Sequence, residues 1–120
     1  MDTSKEVAQT ILTQLGGHRF GAMTGAKNFA SHGPEKGTLG ALSFTLPSRF
    51  AKDGINYVKI TLAFSDTYTI EFIKIGPRPS LKQMMAGKEQ TITTVKKLED
   101  IYADQLQSAF TRHTGLDTKL

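Results

Sequence analysis

The chain has 120 residues, enough for one domain with a hydrophobic core, and its hydrophobic content of 38% argues against wholesale disorder. Cysteine is absent, which excludes disulfides, thiol nucleophiles and cysteine-ligated zinc. The formal net charge of +4 permits association with nucleic acid without requiring it. No apolar run approaches the roughly 20 residues that span a bilayer, and the N-terminus has no signal-peptide pattern, so we expect a cytoplasmic protein with no membrane partner.

The N-terminal third of the chain predicts one helix, one strand and a loop. Residues 3–15 carry a single apolar stripe, begin with the spacing of a capping box and stop at a pair of glycines, which predicts a helix. Residues 18–24 are predicted as a strand with small residues at its centre. Residues 25–37 are predicted as a glycine-rich connection without regular structure.

A strand and a hairpin form the centre of the predicted sheet. Residues 39–46 are predicted as one strand, because apolar and polar side chains alternate along them. Residues 57–75 are predicted as a β-hairpin, since both arms alternate with period two and are rich in β-branched and aromatic residues. Keeping like faces together requires a three-residue loop that ends at Asp66 in a left-handed conformation. The predicted cross-strand pairs are Val58 with Phe72, Ile60 with Ile70, Leu62 with Tyr68, Lys59 with Glu71, and Thr61 with Thr69.

The chain after the hairpin predicts a short helix, a strand and a long helix. Residues 80–86 are predicted as the short helix and residues 91–95 as a last, β-branched strand. Apolar side chains recur at three-four spacing over residues 98–110, which predicts an amphipathic helix. Glu99 and Asp100 would lie near the start of this helix, where negative charge complements the helix dipole.

The C-terminal end of this long helix has its own signals. Arg112 and His113 would lie in its last turn, where positive charge is favourable. Gly115 is predicted as a left-handed C-cap, with Leu116 folding back as its apolar contact. The whole chain, residues 1–120, is thus predicted as one α+β domain: a four- or five-stranded antiparallel sheet with the N- and C-terminal helices packed on one face.

Five segments that together extend over most of the chain carry a resemblance. They are QLGGHRF at residues 14–20, AMTGAKNF at 22–29, NYVKITL at 56–62, YADQL at 102–106 and TGL at 114–116. With these segments the chain resembles small uncharacterised proteins encoded by tailed phages and prophages. The segment at residues 77–89 is longer than we expect for these phage proteins and is interpreted as an insertion. The resemblance implies a mobile-element origin, hence the cytoplasm of an infected bacterial host, and it supplies no activity.

No pattern in the sequence predicts catalysis, a cofactor or a metal. The glycines of Gly21-x-x-x-Gly25-x-Lys27 are too close together for a phosphate-binding loop, and Asn28 stands where such a loop needs a hydroxyl. We therefore attribute the two glycines to a bulge or a close backbone crossing. Three histidines lie in different predicted elements and lack ligand spacing: His18, His32 and His113. We predict no catalytic residue, no cofactor site and no metal site.

The distribution of positive charge is more informative. Residues 74–97 contain six basic residues against the single acid Glu89. This is either an ordinary solvated surface or a surface that tracks phosphates, to which Phe29, Phe50 and Tyr57 would add stacking where they are exposed. Under the second interpretation the candidate nucleic-acid-binding residues are Arg19, Lys27, Lys36, Lys74, Arg78, Lys82 and Lys88.

Three classes of function follow from these patterns. The first is an accessory protein of a phage or prophage that associates with nucleic acid through its basic residues. The second is a protein-binding inhibitor of a host nucleic-acid enzyme or defence complex, of the anti-CRISPR or anti-restriction kind, which needs only a complementary surface. The third and least favoured is a small enzyme, which a buried, charge-perturbed acid or histidine in a cleft would indicate. The oligomeric state does not follow from the sequence.

Overall fold

A computed structural model describes residues 3–34, 37–47, 51–77 and 79–116, with only the backbone of Thr3 and Ser4. Two short 3₁₀ turns accompany the regular elements, one before the third strand and one before the last helix. In chain order the elements are α1 (Thr3–Leu15), α2 (His18–Thr24), β1 (Lys27–His32), β2 (Thr38–Thr45), the turn Lys52–Gly54, β3 (Tyr57–Ala63), β4 (Tyr68–Ile75), α3 (Leu81–Met85), β5 (Ile92–Ile101), the turn Ala103–Gln105 and α4 (Leu106–Thr114).

The five strands form one antiparallel sheet in the order β1-β2-β3-β4-β5, which confirms the predicted α+β class. The central hairpin has the predicted register at all five cross-strand pairs. Its loop is also as predicted, because Asp66 has a φ of 68° and its N–H donates to Ala63 O at 3.0 Å. Ala63 N–H in turn donates to Thr67 O at 2.9 Å, which leaves three residues in the loop.

The hydrophobic core lies between one face of the sheet and the helices. Phe20 of α2 is at its centre, with ring centroids 5.1 Å from Phe44 and 5.0 Å from Phe110, both edge-to-face. Ile11 and Leu15 of α1 are fully buried beside these rings, as the predicted apolar stripe requires. Fully buried strand residues on this face are Phe44, Val58, Ile60, Ile70 and Phe72.

The prediction of a strand over residues 18–24 is wrong, because these residues form the helix α2. Phe20 and Thr24 are one turn apart and both buried, and the Thr24 hydroxyl donates to Phe20 O at 2.7 Å. Gly25 ends the helix with a φ of 74° and an N–H bond to Gly21 O at 2.9 Å. The two glycines that we attributed to a bulge or a close backbone crossing therefore belong to a helix and its C-cap.

The predicted irregular connection over residues 25–37 contains the edge strand β1, so that part of the prediction is also wrong. Five of the six residues of β1 are exposed, and the strand has no alternation of buried and exposed side chains to reveal it. Its register with β2 shifts between Lys27 and Ala30, where Asn28 has a φ of 58°. This β-bulge is the irregularity of the segment.

The predicted long helix over residues 98–110 is wrong in its first half. Residues 98–101 continue β5, where Leu98 pairs with Ile70 and Ile101 with Tyr68. Asp100 has a φ of 57°, which an α-helix cannot contain. Glu99 and Asp100 therefore belong to a strand, not to a helix N-terminus, and α4 begins at Leu106.

The predicted end of the chain agrees with the structure. Gly115 has a φ of 76°, its N–H donates to Thr111 O at 2.8 Å, and Leu116 is buried. The predicted short helix is confirmed as α3, whose N-cap Ser80 shares a capping box with Gln83. The side chain of Thr3, which begins the predicted capping box of α1, lies outside the described residues.

Candidate anion-binding cleft

A cleft of about 790 Å³ opens at the end of the sheet where β1 and β3 begin and β2 and β4 end. The sequence-predicted residues Lys27 and Lys74 both line it. Among the described residues of its wall none is acidic, and the uncharged polar ones are Thr45, Asn56 and Gln90. The topology of the sheet thus brings two lysines from distant parts of the sequence to one acid-free cleft.

The bulge of β1 positions Lys27 at the mouth of the cleft. Asn28 takes its left-handed conformation there, and its Nδ2 donates to Thr45 Oγ1 at 3.1 Å. The same Thr45 hydroxyl donates to Lys27 O at 3.1 Å. These two bonds tie the start of β1 to the end of β2, so the backbone that carries the Lys27 ammonium is fixed on both sides.

Lys74 extends from β4 across the turn Lys52–Gly54. A β-carbon added at Gly54, which has a φ of 72°, would lie 3.1 Å from Lys74 Cε. Any side chain at this position would therefore crowd the aliphatic part of Lys74, and glycine provides both the backbone conformation and the space.

The backbone next to Lys74 is held by the side chain of Asn56, which forms two hydrogen bonds like those of a paired strand residue. Asn56 Nδ2 donates to Ile75 O at 2.9 Å, and Ile75 N–H donates to Asn56 Oδ1 at 2.8 Å. Because both ends of the amide are engaged, the start of β3 is fixed against the end of β4. Asn56 could not be predicted from the sequence, since a single amide before a strand carries no distinguishing signal.

The part of the cleft wall formed by Gly76 and Gln90 lies next to a third lysine, Lys88. Gln90 Nε2 donates to Gly76 O at 2.9 Å, and Gly76 N–H donates to Thr91 O at 2.7 Å. Gln90 also lines an adjoining hollow of about 410 Å³ together with Lys88 and the one acid Glu89. The sequence-predicted Lys88 therefore lies beside the cleft, not within it.

The other sequence-predicted residues are spread around the molecule. Arg19 lies on α2 and Lys82 on α3; both are exposed, and neither lines the cleft. Lys36 and Arg78 lie outside the described residues. The predicted surface is thus assembled in part: Lys27 and Lys74 share the cleft, and Lys88 adjoins it.

The charged side chains of the described cleft wall are both cations. Within the described parts of the chain the one ion pair joins Lys97 to Glu99 at 3.7 Å, so Lys27 and Lys74 have no carboxylate partner there. An ammonium group offers three donors and no acceptor, and it forms its strongest hydrogen bonds with carboxylates and phosphates. A phosphate group or a carboxylate is therefore the ligand that this donor set fits.

The described aromatic residues offer less exposed surface for base stacking than the sequence suggested. Phe29 is 40% exposed, yet its ring centroid lies 5.5 Å from that of Phe44, so part of the ring belongs to the core. Tyr57 is half-buried and pairs with Thr45 beside the cleft, and Phe50 lies outside the described residues. One aromatic side chain near the lysines is too few for a stacking platform.

The closest approach to a catalytic pair lies elsewhere, on the face of the sheet away from the helices. His32 Nε2 and Ser43 Oγ are 2.7 Å apart across β1 and β2. Ser43 is only 2% exposed, so its hydroxyl acts as a buried cross-strand partner for His32. In the described segments no three His, Asp or Glu side chains gather as metal ligands would.

Comparison of the chain with protein-family models, with curated proteins and with solved structures found no match. The phage or prophage origin therefore stays a prediction from the sequence resemblance. None of the described helices is long and apolar enough to cross a membrane. The argument for function accordingly depends on the cleft.

Proposed function

We propose that this protein binds nucleic acid through its basic surface, with the cleft between Lys27 and Lys74 as the principal phosphate contact. The observation that carries the proposal is that these two lysines line one cleft whose described wall holds no acid. Lys88 in the adjoining hollow extends the same surface by one more positive charge. In this proposal the protein is a phage or prophage accessory protein that acts by binding and not by catalysis.

The contacts available in the cleft favour recognition of the backbone over recognition of sequence. Lysine is a flexible point charge that attracts phosphate without reading base edges. The amide of Asn56 is consumed by Ile75, which leaves the cleft with few groups of fixed direction. We therefore propose weak binding with little sequence preference, in which each neutralised phosphate releases counterions.

The test is a fluorescence anisotropy titration of labelled duplex and single-stranded oligonucleotides at two salt concentrations. Affinity should fall steeply with salt, with a log–log slope of roughly 0.9 per neutralised duplex phosphate and roughly 0.7 for single strands. The double variant Lys27→Ser, Lys74→Ser should lower the duplex slope by about 1.8 if each lysine contacts one phosphate.

A matched control removes the same amount of charge from the helices. Lys5 of α1 and Arg19 of α2 are exposed and do not line the cleft. The variant Lys5→Ser, Arg19→Ser should leave the slope within about 0.5 of the wild-type value, because net charge alone acts weakly through screening salt. Equal losses in the two double variants would show that net charge sets the binding, and would remove the cleft from the proposal.

A second function, a protein-binding inhibitor of a host nucleic-acid enzyme or defence complex, is favoured by one separate observation. The helix α3 exposes apolar side chains, with Leu81 74% and Met85 82% exposed and Met84 also exposed. Methionine adapts its shape to a partner and is common on binding surfaces. Under this alternative, the protein would not bind oligonucleotides even at ~50 mM salt. It would instead retain one host protein after nuclease treatment and lose it on Leu81→Ser, Met85→Ser substitution.

A further inference from the structure

A second group of cations surrounds His113 in the last turn of α4. The His113 ring centroid lies 5.4 Å from that of Phe72 in β4. Lys96 of β5 is the register partner of Phe72, so it leaves the sheet on the same side as that ring. Arg112 precedes His113 in the helix. Strand β5 and helix α4 therefore each bring one permanent cation to the histidine.

A third cation reaches the same place from the turn Lys52–Gly54. A β-carbon added at Gly115 would lie 3.0 Å from Lys52 Cε, so the aliphatic part of Lys52 lies against the end of α4. We refer to Lys52, Lys96, Arg112 and His113 as the His113 cluster. Its members come from three separate elements and share one side of the molecule.

The described surroundings of the His113 cluster do not neutralise it. Burial and then the charges of Lys96, Arg112 and Lys52 lower the pKa of His113 below its usual 6.5. The charges of described residues that shift the pKa of the histidine are thus all positive. Asp53, next to Lys52 in the turn, is exposed and is not one of them.

The described hydrogen bonds at the end of α4 do not involve these cations. Thr114 Oγ1 donates to Phe110 O at 2.8 Å, and Gly115 N–H donates to Thr111 O at 2.8 Å, so both hydrogen bonds come from groups other than the cluster's cations. None of the hydrogen bonds or ion pairs of the described residues engages the Lys52 ammonium or the Arg112 guanidinium. Like charges held together without a counter-charge cost free energy that a bound anion would remove.

The His113 cluster adjoins the cleft through the turn Lys52–Gly54. At one end of this turn Lys74 lies over Gly54, and at the other Lys52 lies over Gly115. We propose that the His113 cluster is a second phosphate-binding position, which contacts another backbone phosphate of the nucleic acid that occupies the cleft. This inference rests on the proposed function for the source of the phosphate, but the cluster itself is tested without nucleic acid.

Binding of a phosphate at the His113 cluster should be coupled to protonation of His113. In the unliganded protein the pKa of His113 is below 6.5, so the imidazole is neutral at pH 7. A phosphate beside it favours the protonated form and raises that pKa, so binding takes up a proton. Affinity should therefore increase as the pH falls below about 6.5, by about tenfold for each unit by which the ligand raises the pKa.

The experiment follows the His113 imidazole by proton NMR across the pH range in the full-length chain. Oligo-dT is the first probe, since thymine does not titrate in this range, and sodium sulfate at constant ionic strength is the second, with chloride as its control. Both probes should raise the His113 pKa by about one unit and leave His18, on the exposed side of α2, unmoved. The single variants Lys52→Ser and Lys96→Ser should each reduce the shift, and His113→Gln should abolish the pH dependence of oligo-dT affinity.

The two probes separate failure of this inference from failure of the proposed function. If oligo-dT binds with the salt dependence given above but neither probe shifts His113, the second position is wrong and the cleft stands. If sulfate shifts His113 and oligo-dT does not bind, the cluster is an anion site and the nucleic-acid function is wrong. A shift that persists unchanged in Lys52→Ser and Lys96→Ser would also overturn the inference, because these lysines would then not hold the anion.

Discussion

Replacing Ile60 with alanine gives the most direct measure of the packing that holds the central hairpin on the helices. Ile60 is fully buried, and its register partners Leu42 and Ile70 are buried on either side. The substitution removes three buried carbon groups, which at about 0.8 kcal/mol each cost roughly 2.4 kcal/mol in transfer free energy. Ladder hydrogen bonds hold the neighbouring strands in place, so the site cannot collapse and a cavity term adds to this cost. We expect a total loss of about 3–5 kcal/mol.

Urea denaturation followed by circular dichroism measures this loss as a shift in the midpoint at constant slope. The matched control is Thr61→Ala in the same strand, because Thr61 lies on the opposite face of the sheet and is half-buried. We expect the control to cost less than about 1 kcal/mol. A loss for Ile60→Ala that does not exceed the control would show that the face turned toward the helices is not the principal core.

The remaining predictions concern single positions. Gly21→Ala should stabilise the protein by about 0.5–1 kcal/mol in thermal denaturation, because position 21 is inside a helix, whereas Gly25→Ala should destabilise it through its φ of 74°. Gly115→Val should cost about 1 kcal/mol or more for the same reason. Gly33→Val should cost little, because no described atom other than those of its chain neighbours lies within 4 Å of the β-carbon. Burial raises the pKa of Tyr68 above its usual 10.0, so this tyrosine ionises at a lower pH in the unfolded chain than in the folded protein. The free energy of unfolding should therefore fall as the pH rises above 10. The variant Tyr68→Phe should weaken that loss.

The elements that were predicted correctly are those that bury one face. β3 and β4 alternate because one side of each is core and the other is not, and this fixed both their existence and their register. The edge strands have weaker constraints: β1 buries no residue fully, and only Val95, Leu98 and Ile101 of β5 pack against the core. With spacings of three, Leu98 and Ile101 fit a helix as well as a bulged strand, and the pairing with β4 and the left-handed Asp100 decide for the strand.

The short helix α2 was mispredicted for a different reason. Its seven residues provide one buried pair, Phe20 and Thr24, which is too little periodicity to separate a helix from a strand. Its C-cap also depends on a distant residue, because a β-carbon at Gly25 would lie 2.8 Å from Pro47 Cγ. That contact joins residues far apart in the sequence, so local patterns could not reveal it.

Strand geometry explains why the basic residues between positions 74 and 97 do not form one basic surface. Side chains alternate between the faces of a strand, so Lys96, paired with Phe72, points toward the helices, while Lys97, paired with Glu71, points away from them. Lys82 leaves on α3, in a separate direction. Lys27 and Lys74, by contrast, are distant in sequence and line the same cleft because antiparallel order places the start of β1 and the end of β4 at the same end of the sheet. The number of cations could be read from the sequence, but which of them line one cleft follows from strand order.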